Sequence, residues 1–481
     1  MLSAGLGGEL RAVRAELGST SGDRALHLAS AAVALLAWTR RALGRAHLVA
    51  VAAALHDELG LGLAGLRALR LPIDLLEAFP HWRRGSNAGF APRALGLALM
   101  PAAAARPLGA IRLQVSTAWG GTGITLGLLR QLRQRLDRSV RLVVLVDPES
   151  DAAQLRRLAG ASLGRRRGVR FVRLAFGTIY ARDNAVAARD GAGRRTLLVP
   201  RALRTAEASD TSPLDARAAR RRLGMRVIRS RLYWHGGNML FDGNGLVVGA
   251  DTIAENVSRL GLTEAEVRAL LRAELGHEAS VLGETAGRFD HERNRIVASG
   301  QASYHVDLDV ALLGRTGREQ RPTALVADPH LGLSHLAAVL GRRGVTWLPD
   351  LSSPALRRQL AHEYRLSAAE RTPKLAAYRQ RLEGLGYRVI GVPELRTRDD
   401  RDTVLNLDNV NVVYCNVLPG LNRGRPAAHY VAWGIPALDA VAERAIAAAG
   451  VVPVPVARSP QLANAMMRRA AGLRCFCGAM P

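Results

Sequence analysis

Residues 111–146, IRLQVSTAWGGTGITLGLLRQLRQRLDRSVRLVVLV, indicate the fold most clearly. Ile111–Ser116 and Val140–Val146 are short runs of the β-rich kind that form strands. Between them, Ile124–Leu136 carries apolar residues at the spacing of an amphipathic helix. A strand, a helix and a second strand in this order predict an α/β fold.

The same alternation continues to the end of the chain. A Thr-x-x-Glu capping signal from Thr263 to Glu266 marks the start of one of the later helices. Further strands are predicted at Val169–Phe176, Leu246–Gly249, Tyr304–Leu313, Ala324–Asp328, Val345–Leu348, Asn411–Leu418 and Val451–Val456. Further helices are predicted at Asp151–Leu158, Thr263–Leu275, Ser334–Leu340, Ala437–Ala449 and Gln461–Arg469, and Arg358–Glu383 is predicted as one helix or a pair of helices. Recurring units of strands and one helix can close around an axis and bring distant loops to one mouth.

The first 105 residues have a different composition. Ala, Leu and Arg dominate, and the apolar residues recur at helical spacing. They contain no catalytic pattern. Pro101 and Pro107 mark a connection, so we divide the chain into a helical extension, 1–105, and an α/β catalytic domain, 106–481. The extension is compatible with an accessory domain, an oligomerisation element or residues upstream of the true start, and a homo-oligomer is one expectation.

The charge of the chain is strongly positive, +26 at pH 7 over 481 residues. Of the 67 basic residues, Lys374 is the only lysine, and the arginines are spread along the whole chain. A nucleic-acid-binding protein concentrates its basic residues on one face or in one tail. A nucleic-acid partner is therefore not the favoured interpretation.

The three cysteines are too few for a disulfide framework, and Cys475 and Cys477 are too close together to join distant segments. Leu26–Trp38, the most apolar early stretch, is too short to span a bilayer. We expect a soluble cytoplasmic protein with no membrane partner.

Four short segments carry residues that are costly to bury. Taken singly, each has an ordinary explanation: a surface ion pair, a glycine turn, a core histidine or an inert buried thiol. The segments are Tyr180–Asp183, Trp234–Asn238, Tyr304–Asp307 and Arg474–Pro481.

Together the segments meet the requirements of guanidinium chemistry. The guanidinium group is planar, permanently charged and weakly electrophilic, so its hydrolysis needs bidentate acceptors, a strong nucleophile and a proton shuttle. Asp183 and Asp307 supply the carboxylates, Cys475 the thiolate and His305 the shuttle. On the predicted strand, His305 and Asp307 are two residues apart and point to the same face.

These segments resemble, in order, those of the agmatine deiminase and bacterial peptidylarginine deiminase family, within the guanidine-modifying superfamily. The resemblance covers about residues 110–481. The matching motifs are Tyr180-Ala-Arg-Asp183, the Gly-Gly-Asn and Asp-Gly of 236–243, His305-Val-Asp307, Tyr414-Cys-Asn416, 434–439 and the terminal Cys475. The resemblance implies a five-bladed α/β propeller, the pentein fold, which is built of ββαβ units and has its site on the central axis.

The resemblance also implies a reaction without metal or cofactor. Cys475 attacks the guanidino carbon, His305 protonates the departing ammonia, and the covalent thiouronium intermediate is hydrolysed to a ureido product. The substrate is agmatine, arginine or a peptidyl-arginine. The further substrate-binding residues are Trp234, Gly236, Gly237, Asn238 and Arg474, where the glycines bring carbonyls close, Asn238 fixes the turn, and Arg474 pairs with a substrate carboxylate or a structural acid.

Three positions depart from the family pattern and alter the pocket wall. His235 replaces an acidic residue, Tyr304 replaces a glycine, and Cys477 replaces a hydroxyl residue. Cys477 is expected on the same strand face as Cys475, as a weaker candidate nucleophile, and Cys415 is expected to pack as a small apolar residue.

Two other functions remain open from the sequence. An amidinotransferase would use the same fold and pass the amidino group to an amine instead of water. A non-catalytic, arginine-rich scaffold would bind nucleic acid with a steep salt dependence. No set of His, Cys, Asp and Glu has metal-ligand spacing.

Overall fold

The computed structural model describes residues 94–480, except 117–121, 148–149, 151–167, 175, 177, 202–215, 286, 291–294, 298, 342–352, 399–409, 458 and 468–470. The strands are β1 Leu97–Leu99, β2 Ala110–Val115, β3 Arg141–Val146, β4 Val169–Arg173, β5 Val186–Asp190, β6 Arg195–Val199, β7 Arg226–Arg229, β8 Met239–Phe241, β9 Leu246–Gly249, β10 Ala279–Leu282, β11 Arg288–Asp290, β12 Arg295–Val297, β13 Val310–Thr316, β14 Arg321–Asp328, β15 Arg388–Leu395, β16 Val412–Val413, β17 Leu418–Asn422, β18 Arg425–Val431, β19 Val452–Val456 and β20 Gly478–Met480. The α-helices are α1 Thr122–Arg135, α2 Ala216–Leu223, α3 Ala250–Leu260, α4 Glu264–Leu275, α5 Pro329–Leu333, α6 Leu336–Leu340, α7 Pro354–Gly384, α8 Pro436–Ala448, α9 Pro460–Met467 and α10 Leu473–Phe476.

Five of the described sheets share one local order. In each, a strand pairs antiparallel with its neighbour, and that neighbour then pairs parallel with a third strand that follows one or more helices. The sheets have the strand orders β1-β5-β6-β7, β8-β9-β10, β13-β14-β15-β16, β17-β18-β19 and β20-β2-β3-β4. The α/β prediction is therefore confirmed.

Local sequence explains the elements that were predicted best. Every residue of β2 is buried, as expected for a strand that has a parallel neighbour and helices packed on it. At the start of α4, the Thr263 side chain accepts from the Glu266 backbone N–H, and the Glu266 carboxylate accepts from Thr263 N. The predicted capping box is thus present, and α4 begins where the sequence indicated.

Two predicted strands need correction. Residues 304–309 do not continue a strand: Val306–Leu308 form a 3₁₀ turn, and β13 begins only at Val310. The carbonyls of His305 and Val306 accept from Leu308 N and Asp309 N, which closes this turn. The second correction is the predicted strand 411–418, which is a two-residue strand, β16, followed by a bend and then β17.

Several other predicted elements are present in the structure. The strand Leu246–Gly249 and the helices α1, α8 and α9 lie close to their predicted bounds, the predicted helix 358–383 is the single helix α7, and the predicted helix Ser334–Leu340 is the shorter α6. The predicted helix 151–158 and strand 345–348 lie outside the described residues.

Part of the predicted helical extension belongs to the α/β body. Residues 1–93 lie outside the described residues, but Leu97–Leu99 form β1, which pairs antiparallel with β5. Met100 N and Ala102 N also donate to carbonyls of residues 187 and 241. The predicted domain boundary at 105 itself stays a prediction.

Within the described ranges, no helix combines the length and the apolar character that crossing a membrane requires. Cys415, Cys475 and Cys477 are all free and buried.

Candidate active site

Each of the five sheets contributes to one site from the same place, the segment just before its first antiparallel strand. The residues concerned lie one to five positions before that strand. They come from segments that are more than fifty residues apart along the chain. They are Asp183 before β5, Gly236–Asn238 before β8, His305–Asp307 before β13, Asn416 before β17 and Cys475 before β20.

Asp183, Gly237 and His305 form one closely packed group. His305 Nδ1 lies 3.8 Å from Asp183 Oδ1, and the same oxygen accepts from Gly237 N at 3.0 Å. A Cβ atom on Gly237 would lie 2.6 Å from His305 Nδ1, so any other residue there would displace the imidazole. A Cβ on Gly236 would likewise lie 2.0 Å from Arg182 O. The glycine pair therefore lets the backbone approach the two acid–base groups.

Asn416 connects the backbone of the candidate nucleophile Cys475 to the backbone of Asp307. Its Oδ1 accepts from Arg474 N at 2.6 Å and from Cys475 N at 3.3 Å. Its Nδ2 donates to Asp307 O at 3.2 Å. On the other side, Arg182 N donates to Cys475 O at 3.1 Å. Cys475, Asp307 and the turn that carries Asp183 are thus held together by hydrogen bonds.

Asp307 is a buried carboxylate whose charge is stabilised by few neighbouring groups. It has 0% exposure, and its two carboxylate oxygens have no hydrogen-bond partner of normal geometry among the described residues. Arg474 Nε lies 3.8 Å from Oδ2. Burial raises the pKa of Asp307 to about 6, although the nearby cations Arg474 and Arg182 oppose the rise. Two unfilled acceptors in one plane match the N–H groups of a guanidinium.

The thiol and the imidazole are both driven to their neutral forms. Burial raises the pKa of Cys475 well above its ordinary value, and the charges of Asp307 and Asp183 raise it further. Burial lowers the pKa of His305 well below its ordinary value, helped by His235, Arg396 and Arg182. The lowered pKa of His305 favours its uncharged form, so the 3.8 Å contact with Asp183 is weaker than an ion pair. A bound cation would offset the carboxylates and favour the thiolate.

Asn238 and Gln301 hold the backbone on either side of His305. Asn238 Nδ2 donates to Tyr304 O at 3.2 Å, and its Oδ1 accepts from Val306 N at 2.9 Å and from Gln301 Nε2 at 3.2 Å. Gln301 Nε2 also donates to Ser303 O at 2.9 Å. Asn238 therefore fixes the histidine segment, besides following its own glycine turn.

The structure shows the surroundings of three further residues that the sequence singled out. Trp234 is 1% exposed and packs in a hydrophobic cluster with Leu232 and Tyr233, so its predicted contact with substrate stays a prediction. Arg474 Nε lies 3.8 Å from Asp307 Oδ2, so Arg474 faces an acid of the protein, one of the two partners that the sequence left open. Cys477 follows the short helix α10 and so does not share a strand face with Cys475; burial raises its pKa to about 12.

Two of the three residues that depart from the family pattern, His235 and Tyr304, lie beside His305. The His235 ring centroid is 5.1 Å from that of His305, and the Tyr304 ring centroid is 4.6 Å away. Tyr304 is 40% exposed, whereas most large apolar side chains in the described part of the chain are buried. These two altered positions thus form the wall beside the imidazole.

Two residues of the site were missed or undervalued from the sequence. Asn416 stood in a quoted motif without a role, and Gln301 was not singled out. A signal for Asn416 is its place just before an antiparallel strand pair, the position that the other site residues share. In the described parts of the chain, no three His, Cys, Asp or Glu side chains are grouped as metal ligands.

No protein-family model matches the chain, and no curated protein matches it. Solved structures do. A protein assigned as a peptidyl-arginine deiminase is 13% identical, with 79% of this chain and 98% of that chain covered and a TM-score of 0.48. The C. jejuni agmatine deiminase is 11% identical, with 79% and 95% covered and a TM-score of 0.47. A dimethylarginine dimethylaminohydrolase is 12% identical, with 77% and 99% covered and a TM-score of 0.33.

Proposed function

We propose that the protein hydrolyses a guanidino group to a ureido group and ammonia, with Cys475 as nucleophile. The observation that carries the proposal is the convergence of Cys475, Asp307, Asp183 and His305 in one buried cluster, linked through Asn416 and Gly237. A thiol, an imidazole and two carboxylates are the groups that guanidinium hydrolysis requires.

The two carboxylates bind the planar cation. The acceptors of Asp307 have no other hydrogen-bond partner of normal geometry among the described residues, so guanidinium N–H groups would fill them. Asp183, whose Oδ1 accepts from Gly237 N, supplies the second carboxylate beside His305. The ionised carboxylates hold the substrate while its charge lowers the energy of the thiolate.

The chemical steps then follow. His305 accepts the thiol proton, the sulfur of Cys475 bonds to the guanidino carbon, and His305 returns the proton to the departing nitrogen, which leaves as ammonia. Water attacks the thiouronium carbon and gives a proton to His305. The C–S bond breaks and the sulfur takes that proton. The second proton of the attacking water passes to solvent as the C=O bond forms, and the ureido product is released.

We also propose that the five sheets surround a common axis as the blades of a propeller. Support comes from their shared strand order and from the place of the site residues, always before the first antiparallel strand. A central site built from five equivalent segments is the geometry that such closure gives.

The test is ammonia release from agmatine, arginine and an arginine-containing peptide. We expect the wild-type protein to release ammonia from one of them and Cys475→Ala to lose at least ~1,000-fold in kcat, since no other described nucleophile replaces the sulfur. Cys477→Ala, which removes a buried thiol two residues away, is the matched control and should retain activity.

A haloacetamidine probe provides the second arm, because it should alkylate Cys475 in the wild-type protein. If all three substrates stay unchanged and the probe does not label Cys475, the hydrolase proposal is wrong. If ammonia is absent but added glycine becomes a guanidino product, the protein is an amidinotransferase.

A further inference from the structure

The longest described helix, α7, presents three polar side chains to the segment 299–309, which carries His305 and Asp307. Arg371, Lys374 and Tyr378 have the spacing i, i+3, i+7, which places them on one face of the helix. Each of them bonds to a different point of the segment.

Arg371 holds the far end of the segment. Its Nη2 lies 2.6 Å from Asp309 Oδ1, and its Nη1 lies 3.0 Å from Glu394 Oε2. All three side chains are buried, and Asp309 also accepts from Ser303 Oγ. Because Asp309 follows the 3₁₀ turn directly, this ion pair fixes the backbone two residues after Asp307.

Lys374 holds the beginning of the segment. Its Nζ donates to Ser299 O at 3.2 Å and to Gln301 O at 3.0 Å. It is the only lysine among 67 basic residues. An ammonium group is compact, and its donors can reach two backbone carbonyls that are two residues apart. The planar guanidinium of arginine donates only in a fixed fork geometry. The position therefore has a physical reason to be lysine.

Tyr378 holds the middle of the segment. Its hydroxyl oxygen accepts from Ala302 N at 2.9 Å. From there the contacts continue toward the imidazole, because Gln301 Nε2 donates to Asn238 Oδ1, and the same oxygen accepts from Val306 N. The histidine is thus fixed between α7 on one side and Asn238 on the other.

We propose that Arg371, Lys374 and Tyr378 form a positioning face that sets the placement of His305 and Asp307. Lys374 lies between the other two residues on this face of the helix. The inference rests on the proposed hydrolysis only for its kinetic consequence. Its structural part, that the face orders the segment 299–309, can be tested without any substrate.

The experiment compares Lys374→Met and Lys374→Arg with Arg365→Met, a control at an exposed position on the same helix. Hydrogen exchange of the peptide 301–306 measures order, and steady-state kinetics measure the reaction. We expect Lys374→Met to speed exchange in this peptide and to lower kcat ~10- to 100-fold, the cost of a small misplacement, with KM within about threefold. Lys374→Arg should recover part of kcat, because it keeps the charge.

Tyr378→Phe is a second variant that removes only a hydroxyl and serves if Lys374→Met does not fold. We expect faster exchange at Ala302 and a smaller fall in kcat. The proposal is overturned if exchange in 301–306 is unchanged in both variants, or if kcat falls no more than in Arg365→Met. If the wild-type protein deiminates nothing, the proposed function fails and the exchange data alone decide this inference.

Discussion

Gly237 shows how little space separates the acid–base groups of the site. Its N–H donates to Asp183, and its α-carbon lies against the ring of His305. The sequence predicted the four chemical groups, because a thiol, an imidazole and two carboxylates each have a distinct role in guanidinium chemistry. Asn416 and Gln301 could not be predicted in the same way, since an amide that orients backbone has no distinctive pattern in a sequence.

We expect Gly237→Ala to fold and to lose ~100-fold or more in kcat/KM. The added Cβ, 2.6 Å from His305 Nδ1, must displace the imidazole. Steady-state kinetics and a thermal unfolding curve measure the two effects. Gly109→Ala, where a Cβ meets no atom within 4 Å, is the control. Equal activity of the two variants would contradict the described packing.

The segment 304–309 shows why one element was predicted wrongly. Alternating apolar residues favoured a strand, and a strand would have put His305 and Asp307 on one face. In the structure, Val306 N donates to the Asn238 side chain, far away in sequence, and the backbone turns into a 3₁₀ turn. A long-range partner decided the local conformation. The capping box of α4, by contrast, is a local signal, and it was predicted correctly.

The strand β20 is the element whose placement controls Cys475. A Cβ on Gly478 would lie 2.8 Å from Ala181 O and 2.9 Å from two nitrogens of Arg112. We expect Gly478→Ala to push β20 away from the turn 181–184, to cost about 1–3 kcal/mol of unfolding free energy and to lower activity more than stability alone explains.

Urea unfolding and ammonia release check this expectation for Gly478→Ala. Gly384→Ala, where a Cβ meets no atom within 4 Å, is the matched control. Unchanged activity and stability in Gly478→Ala would mean that the strand does not pack on the turn as described.

For the whole molecule, the buried Asp307 predicts a pH dependence of stability. Its pKa is about 6 in the folded protein, above its ordinary value of 3.8, because burial disfavours the charged form. The folded protein binds the carboxyl proton more tightly than the unfolded chain does. The free energy of unfolding is therefore higher at low pH, and this extra stability is lost as the pH rises through about 6. The difference between the two pKa values corresponds to about 3 kcal/mol.

We expect Asp307→Asn, whose side chain does not titrate, to gain up to about 3 kcal/mol relative to the wild-type protein between pH 4 and pH 7. Urea unfolding at several pH values in this range measures the difference. A difference that stays constant with pH would show that Asp307 does not carry an unusual pKa.

The pairing of β2 with β20 also has a kinetic consequence. Arg112 and Gly478 are register partners although they are 366 positions apart (112 to 478). Closing so long a loop is entropically slow, and rates of folding fall as contacts become less local. During refolding from urea, recovery of turnover should consequently lag behind recovery of helical circular dichroism, because helices form early while the sulfur reaches the imidazole only after the first and last parts of the α/β body have joined.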